Sequence, residues 1–180
     1  MIYLTSDHHF GHVNIIKYCD RPYKDIHTMN RTLTNKWNAI IAPQDTVYHL
    51  GDIAFGSFER YLPGLNGKII LIKGNHDRGK YYRNYNIEMH KHLDLEYAGY
   101  KFKLNHRPVF EPGTHDPFND SDKHLKIDEL RNYDWIICGH VHEKWITKQK
   151  NINLSVDVWN YSPVSIDDLI DFIEDLERNN

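Results

Sequence analysis

Short apolar segments of this chain are followed at once by Asp, His or Asn, and this arrangement constrains the fold more than any other feature. The predicted strands with this property are Ile2–Thr5, Thr46–Leu50, Lys68–Ile72, Tyr100–Leu104 and Trp135–Cys138. The polar residues after them are, in the same order, Asp7 and His9, Asp52, Asn75 with His76 and Asp77, His106, and His140 with His142. Ligand sites of open α/β sheets form outside strand ends, so we expect these five loops to meet at one place.

The remaining segments complete a pattern of early βαβ units followed by hairpins. Helical spacing predicts helices over His12–Tyr18, Ile26–Ile41, Leu125–Leu130 and Ser165–Glu177. Hairpins are predicted for Leu93–Tyr97 with Tyr100–Leu104, and for Lys144–Lys148 with Ile152–Val158. Pro43 ends the second helix, and Ser165 is a candidate N-cap with Asp168 three residues on. This order predicts an α/β or α+β sandwich with mixed sheets.

Composition and charge exclude several classes of protein. The 180 residues carry a net charge of −3, which argues against wrapping of extended nucleic acid. No run of 18 apolar residues and no secretory signal is visible, so we expect a cytoplasmic protein with no membrane contact. The two Cys are far apart in sequence and provide neither a disulfide framework nor a zinc site.

The polar residues after the strands are typical metal ligands. They comprise two carboxylates, one amide and four imidazoles: Asp7, Asp52, Asn75, His9, His106, His140 and His142. Seven nitrogen and oxygen donors without a thiolate suit two divalent ions that share a carboxylate, from Zn, Fe, Mn, Co or Ni rather than Ca. Two ions about 3.5–4 Å apart form a clamp for phosphoryl displacement. Each motif alone is also typical of a solvated loop or a core residue, and only the ordered set argues for a site.

The ordered motifs resemble the calcineurin-like metallophosphoesterase superfamily, especially its small single-domain bacterial and phage members. They are Asp7-His8-His9, Gly51-Asp52, Gly74-Asn75-His76-Asp77, Asn105-His106 and Gly139-His140-Val141-His142, within residues 1–160. The resemblance implies a four-layer αββα sandwich, in which helices flank two mixed β-sheets. We therefore expect one metallophosphoesterase domain over residues 1–180.

The resemblance also implies a role for each motif residue. One ion would be held by Asp7, His9, Asp52 and His142, and the other by Asp52, Asn75, His106 and His140. A hydroxide that bridges the ions would attack phosphorus, and Mn is the metal expected to support activity. His76 would contact the scissile phosphate and protonate the leaving oxygen, while Asp77 would hold the His76 ring in its tautomer. A purely structural role is the alternative for both.

Other residues near the motifs receive weaker hypotheses. His12, Arg78 and Arg107 are candidate substrate-binding residues, with solvated side chains as the alternative. His8 is expected to be structural, and His49 to lie either behind the ligands or in the core. The aromatic cluster Tyr81, Tyr82 and Tyr85 could stack a nucleobase, although packing is the more ordinary role.

These observations predict a metal-dependent phosphoesterase that hydrolyses a phosphate ester, most naturally a phosphodiester. Its partner would be a small phosphate ester or a nucleotide, and assembly with further copies of the chain is compatible with the sequence. The first alternative is a phosphoesterase-like scaffold that binds but does not catalyse. The second is a nuclease that acts on longer nucleic acid. Residues 79–92 and 107–123 are the loops in which substrate choice would reside, and neither contains a diagnostic motif.

Overall fold

Two mixed β-sheets form the centre of the computed structural model, which describes residues 1–56, 58–78, 82, 87–110 and 131–179. The strands are β1 (Ile2–Thr5), β2 (Thr46–His49), β3 (Lys68–Ile72), β4 (Glu88–His90), β5 (His92–Tyr97), β6 (Tyr100–Asn105), β7 (Trp135–Cys138), β8 (Thr147–Lys148), β9 (Asn151–Asn153) and β10 (Val164–Ser165). The first sheet has the order β10-β1-β2-β3-β4, with β1 to β4 parallel and β10 antiparallel. The second has the order β5-β6-β7-β9-β8, in which β6, β7 and β9 are parallel.

The helices are α1 (Ile15–Tyr18), α2 (Ile26–Ile40) and α3 (Ile166–Arg178), with short 3₁₀ turns at Phe58–Arg60 and Leu62–Gly64. Helix α2 begins where the Asp25 side chain accepts a hydrogen bond from the amide of Thr28. Its buried residues Met29, Leu33 and Trp37 recur every four positions and pack on the outer face of the first sheet. Burial of each such side chain contributes about 1.5–3 kcal/mol.

A second apolar layer joins the two sheets. Leu4 and Ile72 of the first sheet share it with Phe102 and Ile137 of the second. The buried face of α3, which includes Leu169, packs into the same layer. Because both faces of β1 and β3 are covered, their apolar sequences are continuous rather than alternating. The strand ends that follow are therefore the place where polar side chains can gather.

The predicted architecture of two mixed sheets flanked by helices is confirmed. The strands over Ile2–Thr5, Lys68–Ile72 and Trp135–Cys138 have the predicted bounds, and β4 and β10 were not predicted. The second hairpin is shorter than predicted, because the chain leaves the sheet after Asn153 and pairs at Ser155 with Ser6.

Some predictions for the elements were inaccurate or lie outside the described residues. The first helix begins at Ile15 rather than His12, since residues 12–14 form a turn. Several predictions concern residues that the structure does not describe. These are the helix Leu125–Leu130, the residues Tyr81 and Tyr85, and most of the 107–123 loop. In the described part, no helix is both long and apolar enough to cross a bilayer. The single-domain organisation stays a prediction.

Candidate metal centre

The loops after β1, β2, β3, β6 and β7 meet at one edge of the molecule. The first two continue side by side beyond their strands, because the amide of Asp7 donates to the carbonyl of Gly51 and that of His9 to the carbonyl of Asp52, each at 3.0 Å. The loop after β7 joins them where the amide of His140 donates to Oδ2 of Asp7 at 2.8 Å. The backbone therefore fixes the relative positions of loops that are distant in sequence.

Most of the predicted ligands lie on strained backbone. Five of the seven have positive φ angles between 49° and 71°, although none is Gly: Asp7, His9, Asp52, His140 and His142. Non-Gly residues adopt this left-handed region rarely, and such strain concentrates at functional sites. Here the sharp turns after the strands are the conformations that bring these side chains to one place.

Two glycines of the motifs are required by close approach. A Cβ atom at Gly139 would come closer than 3.0 Å to Oγ of Ser6 and Oδ2 of Asp7. A Cβ atom at Gly74 would meet Oδ1 of Asp52 in the same way. Any side chain at either position would displace a candidate ligand.

The donor atoms of the predicted ligands form two overlapping groups. Asp7, His9 and His142 offer atoms that lie within 4.8 Å of one another, and so do Asp7, Asp52 and His106. Oδ1 of Asp7 and Nε2 of His9 are buried without a hydrogen-bond partner among the described residues. Buried polar atoms are nearly always paired, and a cation between them would satisfy both. The residues present therefore fit a metal site.

Hydrogen bonds orient the rings of two candidate ligands. Nδ1 of His106 donates to the carbonyl of Leu50 at 2.8 Å, and Nδ1 of His142 lies 2.8 Å from Oδ2 of Asp157. Because the carbonyl and the carboxylate both accept, Nδ1 of each ring carries a proton, and Nε2 is the ring nitrogen that a metal could use. Nε2 of His106 lies 3.6 Å from Oδ2 of Asp52, on the side of the other donors.

The electrostatics of the site favour a bound cation. Burial raises the pKa of Asp52, and the carboxylates of Asp7 and Asp77 raise it further. Burial lowers the pKa of His9 well below its usual value and that of His140 to about 3, so both imidazoles are neutral and able to coordinate a metal. A cation bound between the buried carboxylates of Asp7 and Asp52 would stabilise their ionised forms.

The structure reveals an ion pair behind the site that the sequence did not predict. The Arg21 guanidinium donates to Asp157 at 2.7 and 2.9 Å and to the carbonyls of Asp7 and His8 at 2.7 and 2.9 Å. Burial lowers the pKa of His142, but the hydrogen bond to Asp157 and further neighbours outweigh it and raise the value to about 11. The sequence signal for Asp157 is a lone acid between apolar residues, and Arg21 has no recognisable signal.

The predicted role of Asp77 requires correction. Its carboxylate does not hold the His76 ring but accepts hydrogen bonds from the amides of Asp52, Gly74 and Ile53 and from the Tyr82 hydroxyl, at 2.6–3.3 Å. These four bonds occupy the roughly four acceptor positions of a carboxylate. Asp77 therefore joins the second and third loops and holds the backbone of Asp52 in place.

His76 and His12 line one cleft of about 410 Å³ together with five of the seven predicted ligands: His9, Asp52, Asn75, His140 and His142. The amide of His76 donates to Oδ1 of Asp52 at 2.8 Å, and its side chain is 38% exposed. Arg78 borders a smaller adjoining cleft, and the charge of Arg107 helps to lower the pKa of His140. His76 and His12 are thus placed to meet a ligand directly.

Other aromatic and imidazole residues of the motifs are structural. His8 is fully buried, lies 2.9 Å from His49 and stacks on Phe10. His49 is buried as well and accepts a hydrogen bond from the amide of Gly51, so it both packs in the core and supports the loop after β2. Tyr82 is buried, which agrees with the packing role rather than with nucleobase stacking.

Known proteins resemble this chain over nearly its full length. Residues 2–161 match the model of the calcineurin-like phosphoesterase superfamily domain. An uncharacterised protein of Methanocaldococcus jannaschii, MJ1445, is 40% identical, and the match covers 96% of this chain and 91% of that protein. The gene 66 protein of Mycobacterium phage L5 is 25% identical over 98% and 95% of the two chains. The crystal structure of AQ665, a protein of unknown function from Aquifex aeolicus, superposes with a TM-score of 0.74 at 28% identity, covering 96% and 98% of the chains.

Proposed function

Since the chain belongs to the calcineurin-like phosphoesterase superfamily, we propose that it is a phosphodiesterase whose site holds two divalent metal ions. Metal-dependent phosphoester hydrolysis follows from the family, whereas the diester preference and the two ions are the parts proposed here. The proposal rests on two groups of largely buried donor atoms that share Asp7. Among these atoms, Oδ1 of Asp7 and Nε2 of His9 have no hydrogen-bond partner among the described residues.

The number of donors supports two ions rather than one. Asp7, His9, Asp52 and His142 would hold the first ion, and Asp52, Asn75, His106 and His140 the second. Imidazole and carboxylate donors suit Mn, Fe, Zn, Co or Ni, and we propose Mn as the ion that supports activity. When bound, such ions supply a nucleophilic water at neutral pH and neutralise phosphate oxygens.

His76 is the residue proposed to act on the leaving group. Its backbone is held by Asp52, while its ring projects into the cleft beside His9, with the ring centroids 5.4 Å apart. A ring in this position can donate a hydrogen bond to a phosphate oxygen and deliver a proton to the departing oxygen. A positioned acid of this kind contributes about 10²–10⁴-fold to the rate.

The charge of the cleft favours a diester over a monoester. Lys144 is the one Lys or Arg among the described residues that line the cleft, and it pairs with Glu143. A diester carries one negative charge and a monoester carries two, so a lining without an unpaired Lys or Arg is better matched to the diester, although Arg78 borders the adjoining cleft. A small phosphodiester or a nucleotide ester is therefore the proposed substrate. Cytoplasmic location and self-association stay predictions.

Hydrolysis of chromogenic esters tests this proposal. We expect protein reconstituted with Mn²⁺ to hydrolyse bis-p-nitrophenyl phosphate faster than p-nitrophenyl phosphate. Asp52→Asn should abolish the activity, and His76→Ala should lower kcat about 10²–10⁴-fold. His27→Ala, at an exposed position at the start of α2, is the matched control and should match the wild type. If the protein hydrolysed neither ester, or if His76→Ala kept full activity, the proposal would be refuted.

Two alternatives predict different results in the same preparation. A binding scaffold without catalysis would bind fewer than two ions per chain and hydrolyse neither ester. A nuclease would cleave plasmid or single-stranded oligonucleotide in preference to small diesters. The net charge of −3 argues against the nuclease, because extended nucleic acid is bound chiefly through cations.

A further inference from the structure

Exposed aromatic side chains stand at the mouth of the candidate metal centre. Phe55 is 51% exposed and Tyr18 is 69% exposed, and both line the cleft that contains His9 and His76. Six large apolar side chains of the described residues are exposed, and these are the two that border the cleft. A cluster of exposed apolar surface beside a polar site is typical of a place where a ligand binds.

The rings form a continuous series that leads to the reacting position. The Phe55 ring lies parallel to that of His12, with centroids 4.4 Å apart and planes inclined by 13°. Tyr18 meets His12 edge-on at 6.1 Å, and His76 lies 5.6 Å from Phe55. If the phosphate of a ligand lies beside His76, the rest of the ligand is therefore close to the aromatic ring of Phe55.

Backbone contacts fix the position of Phe55, and its ring stacks on that of His12. Its amide donates to the carbonyl of Phe10 at 2.8 Å, and Ala54 forms a β-bridge with Phe10. Phe10 is fully buried in the core between α2 and the first sheet, so this part of the loop is anchored. A rigid aromatic surface costs little conformational entropy when a ligand stacks on it.

We propose that Phe55 and Tyr18 form a stacking subsite for the base of a nucleoside-bearing phosphodiester. This inference rests on the proposed phosphodiesterase function and specifies its substrate class. A planar heterocycle fits because stacking uses the ring faces, while Glu143 and Lys144 at the same cleft provide polar partners for the edges of a base. Base stacking on an aromatic side chain contributes about 5- to 150-fold in affinity.

Two esters with the same leaving group isolate this contribution. Thymidine 5′-(p-nitrophenyl phosphate) and methyl p-nitrophenyl phosphate differ only in whether a nucleoside or a methyl group remains on phosphorus. We expect the Mn²⁺-loaded protein to prefer the nucleoside ester in kcat/KM, and the preference to fall about 5- to 150-fold in Phe55→Ala. Tyr18→Ala should lower it too, Phe55→Trp should restore it, and Ile146→Ala, at an exposed apolar position away from the cleft, should leave it unchanged.

The outcomes separate this inference from the proposed function. Hydrolysis of both esters without preference, or an unchanged preference in Phe55→Ala, would overturn the subsite and leave the phosphodiesterase intact. Hydrolysis of neither ester would contradict the phosphodiesterase itself. Calorimetric measurement of the affinities for adenosine 5′-monophosphate and ribose 5-phosphate then tests the stacking subsite independently of hydrolysis. The subsite predicts tighter binding of the adenosine compound, lost in Phe55→Ala, and equal binding of the two would overturn it.

Discussion

Replacement of Asp157 by Asn removes one charge from the buried network behind the metal centre while it keeps the shape of the side chain. The carboxylate pairs with the Arg21 guanidinium through two hydrogen bonds of 2.7 and 2.9 Å. It also meets Nδ1 of His142 at 2.8 Å and accepts from the Ser155 hydroxyl at 3.0 Å. The variant therefore affects both the stability of the fold and the orientation of a candidate ligand.

The structure sets the size of both effects. The side chains of Arg21 and Asp157 are 0% and 1% exposed, and loss of one partner from a buried ion pair costs about 3–5 kcal/mol. His142 loses the carboxylate that orients its ring, and such a loss weakens metal binding about 10–100-fold. Because Arg21 also holds the carbonyls of Asp7 and His8, part of the destabilisation reaches the loop after β1.

Urea unfolding of the metal-free protein measures the first effect, and calorimetric titration with Mn²⁺ measures the second. The double variant Arg21→Gln with Asp157→Asn is the control, because it removes both charges of this ion pair. It should regain part of the free energy of unfolding but not the metal affinity. If Asp157→Asn alone retained the unfolding free energy and the Mn²⁺ affinity of the wild type, the assigned role of this network would be refuted.

Three further perturbations follow from the structure. Gly139→Ala should abolish Mn²⁺ binding in a titration, because the added Cβ collides with the candidate ligand Asp7. Gly64→Ala is the control and should bind Mn²⁺ normally, because no atom lies nearer than 4.0 Å to its added Cβ. Equal Mn²⁺ affinities of the two variants would contradict the close approach at Gly139. Ser165→Ala removes the cap of α3 and should cost about 1 kcal/mol in urea unfolding without lowering hydrolysis, and unaltered stability would argue against the cap. Burial holds the pKa of His49 well below its usual value of about 6.5, so below that pH the unfolded chain binds a proton that the folded chain does not. Stability should therefore fall as pH drops below about 6.5, less steeply in His49→Gln, and equal slopes would count against this pKa.

The strands and the candidate ligands could be predicted from the sequence because both have local signals. Apolar segments such as Ile2–Thr5 and Lys68–Ile72 are short enough to be strands and are followed directly by polar residues. Parallel strands place their carboxyl ends at the same edge, so their order in the chain already implies that the loops meet. The structure brings the predicted ligands together for this reason, with Asp7 paired through its backbone to the loop of Asp52.

The supporting contacts could not be predicted because they depend on residues distant in the chain. Arg21 and Asp157 are separated by 136 positions, and Asp157 fell inside a predicted strand that in fact ends at Asn153. Three of the four partners of Asp77 are backbone amides, which nearly every residue carries and no sequence pattern distinguishes. Phe55 follows Ile53 and Ala54, so its sequence context is typical of the core, and only the folded chain shows that it faces the cleft.

Anomalous diffraction from crystals soaked in Mn²⁺ shows directly how many ions the site binds. A two-ion centre should give two peaks about 3.5–4 Å apart, with the Asp52 carboxylate in contact with both and three further predicted ligands beside each. The same crystals soaked after Asp52→Asn substitution should lose at least one peak. A single fully occupied peak in the wild type, or two peaks away from these loops, would contradict a two-ion centre in this protein.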